Sequence, residues 1–120
     1  MSGRREVCLL VGRGAAILWA DASDSPAALP DSRARWEAIW RHRDELEAIV
    51  HSHPTGPAAF SAEDESTMQA IDTALGRALR YCVVAPGATV ARIGDHDEPV
   101  FPEPWWAPLV RLASGMRKED

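Results

Sequence analysis

His51-Ser52-His53-Pro54, followed six residues later by Ser61-Ala62-Glu63-Asp64, is the most informative stretch of this chain. In front of it, Leu46 to Ser52 alternates like a strand, with Ile49, His51 and His53 on one side and Ala48 and Val50 on the other. Histidines at i and i+2 of a strand share a face, about 6.6 Å apart along it, so both imidazoles can reach one metal ion. Pro54 ends the strand, and Pro and Gly make His53 to Phe60 a loop. A helix is expected from Ser61 to Leu75, with Met68, Ile71 and Leu75 at periodic positions. Asp64 falls in its first turn, where backbone N–H groups favour the carboxylate. Two histidines, one carboxylate and a water compose a tetrahedral catalytic zinc site.

Each part also has a purely structural reading. Ser61-x-x-Asp64 fits a helix cap with Ser61 as N-cap, and a His-x-His pair alone is usually incidental. Capping and ligation are compatible. The whole pattern arises by chance on the order of once in 100,000 chains of this length.

The flanking sequence supplies the frame. Arg5 to Val11 and Ala15 to Ala20 read as strands around a turn at Gly12-Arg13-Gly14, and Asp21 to Asp31 as a loop. Ser32 is a candidate N-cap for an amphipathic helix from Arg33 to Asp44, with Trp36, Ile39 and Trp40 facing the core. Arg80 to Val84 and Thr89 to Ile93 read as strands around Ala85-Pro86-Gly87, and Gly94 to Asp97 as a turn. A Trp-rich tail over 101–120 carries a short helix near Pro108, with Gly115 to Asp120 frayed. The order β-β-α-β-α-β-β predicts an α/β (mixed α+β) fold, a mixed sheet packed with helices.

With 120 residues, 46% of them hydrophobic, and a net charge of -5, the chain is expected to form one domain over 1–120. The acidic balance argues against nucleic-acid and anionic-membrane binding. Cys8 and Cys82 lie in apolar runs and read as buried free thiols. Glu6 and Arg13 interrupt what could pass for a signal sequence, and no run of 18 apolar residues exists, so a cytoplasmic protein is expected.

His51-Ser52-His53-Pro54 with Ser61 and Asp64 resembles the signature of the JAMM (JAB/MPN/Mov34) zinc metallopeptidases: a Glu, a variable gap, then His-x-His-Pro-x6-Ser-x-x-Asp. Glu6-Val7-Cys8-Leu9-Leu10-Val11-Gly12 is similar to the Glu-x-Cys-Gly-Leu-Leu-x-Gly strand that carries the family glutamate, though one residue shorter and without its Gly. The likeness covers about Arg5 to Val100. It implies a JAMM/MPN-like (cytidine-deaminase-like) fold and one Zn2+ on His51, His53 and Asp64. It further implies Glu6 as general base and Ser61 as donor to the oxyanion. Glu37, Glu45 and Glu47 match no family position, and His42 and His96 read as surface residues. Because the sequence begins almost at Glu6, the helix that precedes the glutamate strand in the family is expected to be missing. One sheet face is therefore expected to be bare unless Trp105 and Trp106 or a second subunit, as in a homodimer, cover it.

The resemblance also implies hydrolysis after the C-terminal Gly-Gly of a ubiquitin-like or sulfur-carrier protein. Only 16 residues separate Asp64 from Tyr81, too few for the insertions that grip a second ubiquitin, which points to the prokaryotic JAB-like branch. Thr55-Gly56 also resembles the His-Asn-His-Pro-Ser-Gly motif of the RadC-like branch. A non-catalytic MPN-type scaffold or dimerisation module is the alternative. A phosphoesterase that also opens with His-x-His would need more ligands than this chain offers.

Overall fold

The computed structural model describes residues 4–26 and 32–117. The chain runs β1 (Val7–Gly12), a 3-10 turn (Arg13–Ala15), β2 (Ile17–Ala22), α1 (Arg33–Arg41) and β3 (Leu46–Ser52). It continues through α2 (Ala62–Leu75), β4 (Arg80–Val84), β5 (Thr89–Ile93), β6 (His96–Pro99) and α3 (Ala107–Ser114). The strands form one six-stranded sheet in the order β2-β1-β3-β4-β5-β6. Only β3 and β4 are parallel, as their crossover through α2 requires; the other neighbours are antiparallel. The expected mixed α+β class is what the chain adopts.

Alternation on the central strands divides the core in two. Leu9 and Val11 of β1, Ala48 and Val50 of β3, and Cys82 and Val84 of β4 line one face. Cys8 and Leu10, Ile49, and Tyr81 line the other, under Ala38 and Ile39 of α1 and Met68 and Ile71 of α2. Both cysteines are buried free thiols, and burial pushes Cys8 up to about 12. The first face is not bare: Trp106, Ala107, Val110 and Met116 pack onto it. Arg111, itself buried, anchors α3 from within. Its Nε donates to Ala85 O at 3.1 Å and its guanidinium pairs with Glu103, which also accepts from Thr89.

Several boundaries shift from expectation. Asp21 and Ala22 belong to β2 rather than to the loop, whose residues 27–31 lie outside the described ones. Ser32 caps α1 by accepting from Arg35 N–H, but the helix ends at Arg41. Trp40 is 54% exposed rather than buried, because the packed line of α1 runs through Ala38 and Ile39 and the Arg43 guanidinium sits 4.1 Å over its ring. His96 and Asp97 pair with β5 as part of β6 instead of forming a turn. Gly115 is not frayed. It closes α3 at φ 78°, a left-handed value open to glycine, and Met116 behind it is buried. Residues 118–120 lie outside the described ones. Of the tail tryptophans only Trp106 is core; Trp105 is 55% exposed, its Nε1 donating to Ala15 O.

Among the described residues no helix is long and apolar enough to cross a membrane. The packing separates tryptophans that composition treats alike. Trp106→Ala should cost about 3–5 kcal/mol, and Trp40→Ala about 1 kcal/mol or less, in urea unfolding followed by circular dichroism. Equal losses would contradict the assignment of Trp106 to the core.

Candidate metal centre

Three atoms converge at the carboxyl end of β3. His51 Nε2 lies 3.1 Å from His53 Nε2 and 3.2 Å from Asp64 Oδ2, and His53 Nε2 lies 3.4 Å from Asp64 Oδ2. Strand alternation delivers the two imidazoles to the α1/α2 face, where His51 pairs in register with Cys8 of β1. His53 N–H donates to Val84 O at 2.8 Å, which carries the β3–β4 pairing one residue past the strand and keeps the second ring on that face. The cap of α2 delivers Asp64. Ser61 Oγ accepts from Asp64 N–H at 3.0 Å, while Asp64 Oδ2 accepts from Ser61 N–H at 2.8 Å. The capping reading and the ligand reading therefore describe one arrangement.

The protonation of His53 follows from its second contact. His53 Nδ1 is 3.0 Å from Pro57 O, a carbonyl that can only accept, so Nδ1 carries the hydrogen and the neutral ring presents a lone pair at Nε2. A single proton can lie along only one edge of the triangle; a cation at its centre meets all three corners. Ligands 2.0–2.1 Å from a tetrahedral zinc stand about 3.3–3.4 Å apart, close to the observed edges. The donor set and its spacing thus fit a divalent metal. Among the described residues this is the one group of three or more His, Cys, Asp or Glu side chains so placed.

The electrostatics agree. Burial works to raise the Asp64 carboxyl, but hydrogen bonds from His51, His53 and Ser61 N–H outweigh it and hold the group well below the usual carboxylate range. Burial pulls His53 down, yet its bonds to Asp64 and Pro57 O, with the charges of Asp64 and Glu6, raise it above its ordinary value. Glu6 is 7% exposed at the head of β1, two residues before Cys8. Burial raises its carboxyl against the opposing pull of His53 and His51, and the β1–β3 register, which sets Cys8 against His51, brings the head of β1 to the end of β3 that bears the pair. Ser61 is exposed and keeps its hydroxyl proton, because Oγ serves the cap as an acceptor.

The remaining candidates lie elsewhere. Glu37 pairs with Arg33, Glu45 lies by His42 at the end of α1, and Glu47 is exposed. His96 sits exposed between Asp95 and Glu98. Two neighbours of the centre carry no sequence signal of their own. Phe60 packs against His51 with ring centroids 5.9 Å apart. Arg92 of β5 lies 5.0 Å over Phe60 while bonding Glu65, next to Asp64, through two 2.7 Å contacts. A cleft of about 360 Å3 opens beside the loop after His53, walled by Pro54, Gly56, Pro57, Ala85 and Gly87, with Arg4 at its side.

A family model described as prokaryotic homologs of the JAB domain matches residues 4–101. No curated protein matches the chain.

The raised His53 fixes the direction of a pH effect. A protonated His53 stabilises the metal-free fold below the unfolded value of about 6.5, and that contribution is lost as pH rises through the raised folded value. A metal needs the deprotonated Nε2 and must displace that proton. The rise in Tm on adding Zn2+ should therefore be larger at pH 8 than at pH 6, with proton release visible by calorimetry in two buffers. A pH-independent rise would contradict this ligand set.

Proposed function

The chain belongs to the JAB-domain family, in its prokaryotic branch, and on that footing we propose that it is a zinc-dependent metallopeptidase or isopeptidase. Its substrate in this reading is a ubiquitin-like or sulfur-carrier protein, cut after the C-terminal Gly-Gly. The observation that carries the reading is the convergence of His51, His53 and Asp64, with Glu6, a buried carboxylate, at the head of the neighbouring strand whose Cys8 pairs with His51. Non-catalytic domains have no need of this set, and Ser61 N–H holds Asp64, Pro57 O holds His53 and Phe60 packs against His51.

A zinc ion held by His51, His53 and Asp64 would supply a water acidified to about pKa 7 and a Lewis acid for the scissile carbonyl. Glu6 acts as general base: its burial and raised proton affinity suit it to hold a proton and return it to the leaving amine. The Ser61 hydroxyl donates to the developing oxyanion, its oxygen steadied by Asp64 N–H. Asp64, pinned by Ser61 N–H, stays ionised as a ligand rather than competing for the proton.

The cleft beside the His53–Phe60 loop supports the choice of substrate. Apart from Thr55 and Arg4 its walls are glycine, alanine and proline, which leaves room for an extended tail. The buried free thiols fit a reducing, cytoplasmic setting.

Glu6→Gln should keep one zinc per chain by elemental analysis, yet lower kcat on a Gly-Gly-linked fusion by about 100-fold or more. Cleavage at the wild-type rate with metal retained would refute the base; absence of cleavage by the zinc-loaded wild type would refute the peptidase reading.

A further inference from the structure

Glu6 must hold its carboxylate in a fixed place to act as a base, and its backbone is gripped from both sides. On one side Glu6 N–H donates to Ser25 O and Ser23 N–H donates to Glu6 O, each at 2.9 Å. On the other side two buried serines complete the grip. Val7 N–H donates to Ser52 Oγ at 2.8 Å, Ser52 Oγ lies 2.9 Å from Ser114 Oγ, and Ser114 Oγ donates to Arg5 O. Both side chains are fully buried.

The proton order in this chain has one solution. A hydroxyl has one hydrogen, and a carbonyl cannot donate. Ser114 therefore spends its proton on Arg5 O, Ser52 donates to Ser114, and Ser52 accepts from Val7 N–H. The two peptide planes that flank the Glu6 Cα, 5–6 and 6–7, are thus bonded at both edges. Neither can turn without breaking a buried hydrogen bond, so the φ and ψ of Glu6 are fixed.

We infer that Ser52 and Ser114 are positioning residues that set Glu6 against the histidine pair. Ser52 is the residue between the two histidines, so the relay runs from the strand that carries His51 and His53 to the strand that carries Glu6. Ser114 belongs to α3, beyond the family match at 4–101, so this half of the clamp is supplied by a segment outside the shared pattern. Arg5 N–H bonds Ser114 O at 3.0 Å, and Arg5 Nε bonds Ala113 O at 2.9 Å, which ties the same helix end to the same strand. The inference rests on Glu6 being the base.

Zinc-loaded Ser114→Ala, Ser52→Ala and the double variant should each cleave a Gly-Gly fusion with kcat about 10- to 100-fold lower, as outer support of a site typically shows, at unchanged KM and metal content. As the two serines act through one chain, the double variant should be no slower than the slower single. Ser114→Thr, which keeps the hydroxyl, should recover much of the rate. Independently of activity, the Val7 amide should exchange with D2O about tenfold faster in Ser114→Ala and Ser52→Ala, followed by NMR. Unchanged kcat, losses that multiply in the double variant, or unchanged Val7 exchange would overturn the inference. If Glu6→Gln is inactive while Ser114→Ala runs at full speed, the relay alone fails; an active Glu6→Gln removes the base itself. The exchange measurement stands even if no cleavage is found.

Discussion

Three electron-rich atoms held within 3.1–3.4 Å of one another form an arrangement that a folded chain opposes unless something positive joins them. Most of the local structure on the α1/α2 face holds that triangle together. The period of β3 puts two rings on one face, the Val84 carbonyl carries the pairing past Pro54, and the cap of α2 turns a carboxylate back toward the rings. The Pro57 carbonyl then selects the tautomer. None of these contacts is unusual alone; their value lies in agreeing on one point in space.

The sheet makes such agreement affordable. Its central strands are buried on both faces, so β1 and β3 have little freedom to slide, and a one-residue slip of β3 would send His51 and His53 to the opposite layer. The layer formed by α3 matters as much as the layer that bears the site. It seals the reverse face with Trp106, Val110 and Met116 and is locked by the buried Arg111–Glu103 pair. The cost of desolvating the two charges offsets much of the attraction in such a pair.

Much of this was legible in the sequence because it depends on short-range periodicity. The bounds of β3, β4 and β5 follow from alternation between turn residues, and the His51-His53-Asp64 cluster follows from a strand period of two followed by a capped helix. What escaped is what depends on distant partners. Trp36, Trp40, Trp105 and Trp106 carry similar local signals, yet Trp106 is buried while Trp40 lies outside under Arg43, because sheet area, not spacing, decides which ring is covered. Phe60 and Arg92 reach the centre through a contact between loop and β5 that no spacing announces. Gly115 and Met116 looked like a loose end because their anchor, the reverse sheet face, is assembled from strands far away in the chain.

The meeting of Arg5 with Ser114 has a consequence for the order of events during synthesis. Domains emerge from the ribosome amino end first, and contacts between remote segments form late. The strands that carry Glu6 and the two histidines, β1 and β3, are made before α3, but the bonds that fix Glu6 through Ser114 need α3. A nascent chain would hold a nearly complete set of reactive groups in an unaligned state. Under the proposed function, the backbone of Glu6 would come into place only once α3 has joined Arg5, so that assembly of the site is a late event of folding.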